Sequence, residues 1–386
     1  MAQLILDDAN AGRGVVVIDP KGDLITDVLD RLPIKDAQRV TLFDADSKTT
    51  PPCLNPLDDG LPDIAVDNLV SVFARVYSGS WGPRTDDILR AGCLTLRAHS
   101  TASNSTATLA DLPKLLGEPG YRTIATAAVT DPVLRGFWSW YEQLSDAGRA
   151  QAVAPLMNKL RAFLLRPFVK AAIAGGPSTV NMPQILDRGG LCLVRIPKGS
   201  LGEETTRLVG SLVVARVWQA ATARAQLPQQ ARADCGLYLD ECQNFLNLPY
   251  PLEDMLAEAR GFRLSMTLAH QHLGQLGREL HDGISANARS KIFFNASPED
   301  ARDLARHTAP HLSEHDLAHL GAYRAAARLL VHGQETTPFT LATEALPPVI
   351  PGRRRAIHRV AAQVSVDTGA TMPGAKSGVH DPCRAA

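Results

Sequence analysis

The sequence predicts an α/β protein, with a mainly parallel sheet interrupted by an all-helical insertion, and three observations lead there. Short runs rich in Val, Ile and Leu recur along the chain, and most are continuous rather than alternating, as in strands buried on both faces. Helical patterns separate these runs, as crossovers between parallel strands require. From residue 61 to about 184 the strand-like runs stop and helix-like segments take over.

In chain order, MAQLILDDANAGRG reads as the end of an amphipathic helix, and its Asp7 and Asp8, with no basic stretch, argue against a signal peptide. VVVID (15–19) is the first strand, followed by a tight turn set by Pro20 and Gly22, and RVTLFD (39–44) is the second. The segments DNLVSVFARVYSG, RTDDILRAGCLTLRAH and AQAVAPLMNKLRAFLLRPF supply the helices of the insertion. LCLVRIP (191–197) resumes the sheet, a long helix follows residue 201, and GLYLDE (236–241), RLSMTLA (263–269) and KIFFNA (291–296) read as further buried strands. PEDARDLARH, from 298, is helical, and RAAARLLVHG and TPFTLATEA are closing strands. The resulting division is 1–60 and 185–346 for two parts of one core, 61–184 for the insertion, and 347–386 for a basic, disordered tail that begins with the short helix GRRRAIHR (352–359).

Composition narrows the function without naming it. A 45% hydrophobic content is ample for a core, and Lys plus Arg equals Asp plus Glu at 40 each, so contact with nucleic acid has to come from local basic patches. No run approaches the roughly 18 apolar residues of a membrane span; the best, LVGSLVVARVWQAATARA, is broken by Arg216 and Arg224. The six cysteines, at 53, 93, 192, 235, 242 and 383, show neither CxxC pairing nor zinc spacing, which points to reduced thiols and the cytosol.

The chemistry concentrates at strand ends. In LYLDECQNF an apolar run stops at Asp240 and Glu241, a pair suited to holding the water shell of magnesium and polarising an attacking water; taken alone, it fits a strand that ends in solvated acids equally well. The next strand ends at His270 and Gln271, where a carboxamide could sense a terminal phosphate or simply cap the strand. Between them Arg260, at a helix end, suits either a cation reaching a neighbouring subunit or a complement to the helix dipole. Asp19, Lys21 and Asp23 follow the first strand, but no Gly-Lys dipeptide occurs anywhere, so the G-x-x-x-x-G-K-[ST] phosphate loop is absent from the sequence.

Taken together, IDPKGDL, CLNPL (53–57), SWGPRTDDILR (80–90), PKGSLGEETTRLVGSL (197–212), LYLDECQNF, LAEARGFRLSMTLAHQHLGQL and SPEDARDLAR resemble the TraG/TraD-like coupling proteins of conjugation and type IV secretion, within the FtsK-HerA superfamily of DNA-pumping P-loop ATPases. The resemblance covers nearly all of residues 1–346. It implies a RecA-like core using ATP and Mg2+, self-associated into a ring, expected to be a hexamer, that encloses and moves DNA and engages a relaxase or nucleoprotein complex and secretion-channel proteins. By the resemblance, Asp240 (the magnesium ligand, through water) and Glu241 match the Walker B acids, Gln271 the glutamine of the following strand and Arg260 an arginine finger, while Asp19 and Lys21 match the cofactor-side turn.

The resemblance also implies that the phosphate loop and its strand lie before residue 1, that the chain is a fragment or begins at a misplaced initiation codon, and that any membrane anchor lies upstream too. Loss of a strand near the middle of the sheet would leave two unpaired strand edges. The alternative function is a catalytically inactive ring partner, or an adaptor that binds DNA through the insertion and the GRRRAIHR cluster.

Overall fold

The computed structural model describes residues 1–58, 62–246, 248 and 250–370, with residues 62 and 364–370 described in backbone only. The first part of the core comprises α1 (Ala2–Asn10), β1 (Gly14–Asp19), α2 (Asp23–Leu29) and β2 (Val40–Asp44). The helical stretch follows as α3 (Pro62–Val76), α4 (Pro83–Ser103), α5 (Leu112–Gly117), α6 (Pro119–Thr126), α7 (Pro132–Gln143), α8 (Asp146–Leu164), α9 (Pro167–Ala174) and α10 (Met182–Asp187). The chain then returns to the sheet through β3 (Leu191–Arg195), α11 (Lys198–Leu201), α12 (Glu203–Ala223), β4 (Cys235–Leu239), α13 (Leu252–Glu258) and β5 (Leu264–Leu268). It closes with α14 (Arg278–Asn287), β6 (Lys291–Phe293), α15 (Pro298–Leu304), α16 (Glu314–Ala318), β7 (Arg324–Arg328), the hairpin of β8 (Leu330–Val331) and β9 (Gln334–Glu335), β10 (Phe339–Ala342) and α17 (Arg353–Ala370).

Five strands form one parallel sheet in the order β2-β3-β1-β4-β5, with Val17 opposite Leu193 on one side and Tyr238 on the other. The continuous apolar runs have a simple cause: successive side chains point to opposite faces, and both faces are covered. Val16, Ile18, Val194 and Leu237 face α12 and the helical stretch, whereas Val15, Val17, Leu193 and Tyr238 face α1, α2 and α17. The helical stretch shares the first of these two cores with the sheet, so the two are welded by a common set of side chains. Its helix starts are marked locally: Pro opens α4, α7 and α9, while Asp131 and Ser145 accept from the backbone N–H of Leu134 and Gly148. The buried Trp138 and Tyr141 place their polar tips on Thr95 Oγ1 and the Leu116 carbonyl, each at 2.8 Å.

Two expectations need correction. KIFFNA is not a buried strand of the main sheet. It supplies β6, three residues paired antiparallel to β7 in a separate sheet of order β10-β7-β6, with Ile292 and Phe294 exposed. Among the described residues β2 and β5 end the first sheet and β10 and β6 end the second, so both sheets have open edges. Secondly, the basic segment after Pro347 is not a disordered tail as far as residue 370. It forms α17, whose Ile357 and Ala361 are buried against the sheet, while Arg353 donates to the Leu32 carbonyl at 3.2 Å. The remainder of that segment, 371–386, lies outside the described residues, as does Cys383. The other five cysteines are free and buried. No described helix is long and apolar enough to cross a membrane.

Candidate functional site

Parallel strands deliver their C-terminal ends to one side of the sheet, and there the loops after β1, β4 and β5 meet. The turn after β1 is built by Asp19. Its carboxylate is wholly buried and accepts from the backbone N–H of Lys21 (2.9 Å), Gly22 (2.6 Å) and Ile25 (2.9 Å). Gly22 sits at φ 95°, and a Cβ there would lie 2.7 Å from Arg195 Nε, so glycine is required both by the backbone and by the space. This turn aims Lys21 across at the next loop.

Glu241 follows β4 in the left-handed region, at φ 52°, which is uncommon outside glycine. The strain is held by its surroundings: the Cys242 N–H donates to the Ala269 carbonyl at 2.8 Å, and Asn244 donates from backbone and side chain to the Glu241 carbonyl at 3.0 and 2.8 Å. Phe245, fully buried, anchors the turn against Gly210 of α12, where any Cβ would fall 2.2 Å from its ring.

The Glu241 carboxylate is gripped from three sides. Lys21 Nζ lies 2.8 Å from Oε1, Gln271 Nε2 donates to the same oxygen, and Gln243 Nε2 donates to Oε2 at 2.8 Å. Burial alone would raise this carboxyl, but the Lys21 ammonium and the two carboxamide donors more than offset that, and its pKa lies below the ordinary value. Lys21 is raised in turn by its hydrogen bond to Glu241. Asp240, half-buried beside it, has no ion-pair partner among the described residues, and its pKa is raised by burial first and then by the nearby Asp19 carboxylate. Gln275 Oε1 completes the cluster by accepting from Gln243 Nε2 at 3.2 Å.

Of the residues that sequence reasoning singled out, Lys21, Asp240, Glu241 and Gln271 stand together in the structure; sequence reasoning gave Gln243 no role. It missed Gln275, whose signal was a second glutamine four residues after Gln271. Asp19 stands beside the cluster, but with its oxygens given to the backbone it serves as an internal anchor rather than a cofactor ligand, which corrects its expected place among the binding residues. Arg260 lies elsewhere. It is exposed in the turn before β5, where the Arg263 carbonyl accepts from the first N–H of β4, so a whole strand of about 17 Å separates it from Glu241.

These residues fit one half of a magnesium-nucleotide site. Mg2+ in such sites takes one or two carboxylates plus phosphate oxygens rather than a protein cage. The unpaired Asp240 suits that, and no cluster of three or more candidate ligands exists among the described residues. The phosphate half is different. The N–H groups of Lys21, Gly22 and Ile25 are already filled by Asp19, so the described residues offer no cradle for phosphates there.

Residues 234–312, which carry Asp240, Glu241, Arg260 and Gln271, match the family model described as the TraM recognition site of TraD and TraG. The fold agrees over nearly the whole chain. The plasmid coupling protein TrwB, solved with the ATP analogue ADPNP, is similar with a TM-score of 0.61 at 15% identity, over 90% of this chain and 82% of its own. Residues 234–312 are TraG/TraD-like. The TrwB complex with ADP and Mg2+ gives a TM-score of 0.62 at 15% identity with the same coverage. VirB4 of Thermoanaerobacter pseudethanolicus gives 0.57 at 14% identity, over 90% of this chain and 85% of its own. At these identities the likeness is one of fold, and it places the chain in the RecA-like fold class with a helical domain. No curated protein sequence matches it.

Proposed function

We propose that this TraG/TraD-like chain is the hydrolytic part of an ATP-driven DNA translocase, a coupling ATPase of conjugation or type IV secretion that works as a ring at the cytoplasmic face of the membrane. The observation that carries the reading is the cluster at the strand ends: an ionised Glu241, oriented by Lys21, Gln243 and Gln271, beside the unpaired Asp240. ATP with Mg2+, when bound, supplies the phosphoanhydride to be cleaved, as the nucleotides in the TrwB structures suggest. Asp240 would hold the metal's water shell, Glu241 would orient the attacking water and take its proton, and Gln271 would report on the terminal phosphate. Arg260, too far from its own site, suits action on a neighbouring subunit. DNA is the cargo in this reading, and the family description of residues 234–312 makes a TraM-type accessory protein the first partner to test.

In this reading the phosphates are held by groups other than the turn after β1, whose N–H groups Asp19 already fills. The filled turn at Asp19 also favours a second reading, a ring partner that does not itself hydrolyse ATP. The test is ATP turnover with and without DNA, measured on the 386-residue chain and on the same chain extended by its upstream in-frame codons. Glu241→Gln should keep nucleotide binding and lower turnover by about a hundredfold or more. Unchanged turnover in that variant would remove Glu241 from the chemistry, and no turnover in either form would leave the silent ring partner.

A further inference from the structure

A cavity opens at the C-terminal ends of β2 and β3, away from Glu241. It encloses about 390 Å3 between Thr26 of α2, Asp44 at the end of β2, Arg195 at the end of β3, and Arg354, Arg355 and His358 of α17. Three guanidiniums face one carboxylate. Asp44 is already neutralised by Arg195 at 2.8 Å, with His358 Nε2 3.8 Å from its other oxygen, and Asp46 holds Arg195 from outside the cavity at 2.7 Å. Arg354 has only a long contact, 3.7 Å, to Asp30, and Arg355 is exposed with no hydrogen-bond or ion-pair partner among the described residues.

Exposed arginines are common and usually mean little. These differ because the helix that bears them is fixed. Ile357 and Ala361 are buried in the core, Arg31 Nε donates to the Pro347 carbonyl at 2.6 Å, and the Ile350 N–H donates to the Asp30 carbonyl at 3.0 Å. A fixed helix presents its guanidiniums with little left to order on binding, and the planar fork of Arg matches the oxygens of a phosphate. The position, outside the carboxyl ends of parallel strands, is where open α/β sheets place their ligands.

We propose that this cavity is a binding site for a phosphate group, held by Arg354 and Arg355 with Arg195 behind them. The phosphate belongs either to a nucleic-acid backbone or to a free phosphate or nucleotide. Occupancy has a route to the first site, because Arg195 Nε also donates to the Gly22 carbonyl, at 3.3 Å, beside the Lys21 that pairs with Glu241.

The experiment uses the whole protein, a fluorescently labelled single-stranded oligonucleotide, AMP and inorganic pyrophosphate. The double variant Arg354→Ala/Arg355→Ala should weaken binding of whichever probe binds by about tenfold or more, while Arg359→Ala, outside the cavity, changes it by no more than about twofold. Displacement of the oligonucleotide by pyrophosphate, with AMP binding as well, assigns the site to free phosphates. Binding of the oligonucleotide alone, with a salt dependence that flattens in the double variant, assigns it to a nucleic-acid backbone. Equal affinity of wild type and double variant for every probe would overturn the proposal. Should the double variant fail to fold, phenylglyoxal labelling of the wild type decides: saturating probe should protect Arg354 and Arg355, and undiminished labelling of both would overturn the site.

Discussion

At the residue scale, Asp19 and Lys21 sit two positions apart and do opposite jobs. Asp19 is spent on structure, since its two oxygens satisfy three backbone donors that its removal would leave buried and unpaired. Each such donor costs about 1–3 kcal/mol, so Asp19→Ala should lower stability by at least about 3 kcal/mol, and Asp19→Asn, which keeps one acceptor oxygen, by less. Chemical denaturation of the two variants checks the order. Lys21 acts through charge. The Glu241 pKa is lowered from 4.5, so the pair's contribution is present above that value and is lost as pH falls through the folded pKa. The Lys21 pKa is raised from 10.5, so the contribution persists below that value and is lost as pH rises past the folded pKa. Because the Lys21 side chain is half exposed, solvent screening limits the effect to about 0.5–1 kcal/mol. The melting temperatures of wild type and Lys21→Met should therefore differ by a constant amount between about pH 5 and 10 and converge on both sides. A difference that grows towards acid pH would contradict the pairing.

At the element scale, the position of Glu241 depends on α12, which packs on the far end of its turn. Gly210 in α12 leaves room for the Phe245 ring, and Ser211 Oγ donates to the Phe245 carbonyl at 3.2 Å, so α12 clamps the end of the turn that begins at Glu241. Gly210→Ala would drive a methyl into that ring. The expected cost is about 1–3 kcal/mol, with loss of catalytic function larger than the loss of stability explains, because the left-handed backbone at Glu241 depends on the clamp. Turnover measured well below the variant's melting temperature separates the two effects. The same logic applies at α17, where the GRRRAIHR cluster reads in sequence as the short helix that opens a disordered tail, yet carries Ile357 into the core.

At the scale of the whole molecule, Arg260 bears on the proposed ring and the open strand edges bear on solubility. Arg260 lies at the opposite end of the sheet from Glu241, so any role in hydrolysis requires a neighbour. If the chain works as the proposed ring ATPase, Arg260→Ala should bind nucleotide normally and lose turnover only in the assembled ring. Mixed with Glu241→Gln, it should regain some activity, because hybrid rings restore interfaces with one intact partner of each kind. No recovery at any mixing ratio would argue against action across subunits. The unpaired edges of β5 and β6 are a liability when exposed, since Ile292 and Phe294 lie open beside one of them.

The sequence by itself determined the strands and their chemistry. Continuous apolar runs in Val15–Asp19, Leu191–Arg195 and Cys235–Leu239 fixed a sheet covered on both faces, because only burial on both sides removes the alternation, and the acids at the end of LYLDE marked where reactive groups would gather. Tertiary structure alone decided which of those groups are free. Asp19 and Asp240 look equivalent as strand-ending acids, but only the fold shows that one is filled by its own turn while the other has no ion-pair partner among the described residues. Gln243 and Gln275 entered the site for the same reason, as loops from two strands met over one carboxylate. A linear pattern records which side chains could act, whereas the hydrogen bonds that occupy or release them form between segments as distant as Lys21 and Glu241, and only folding brings these together.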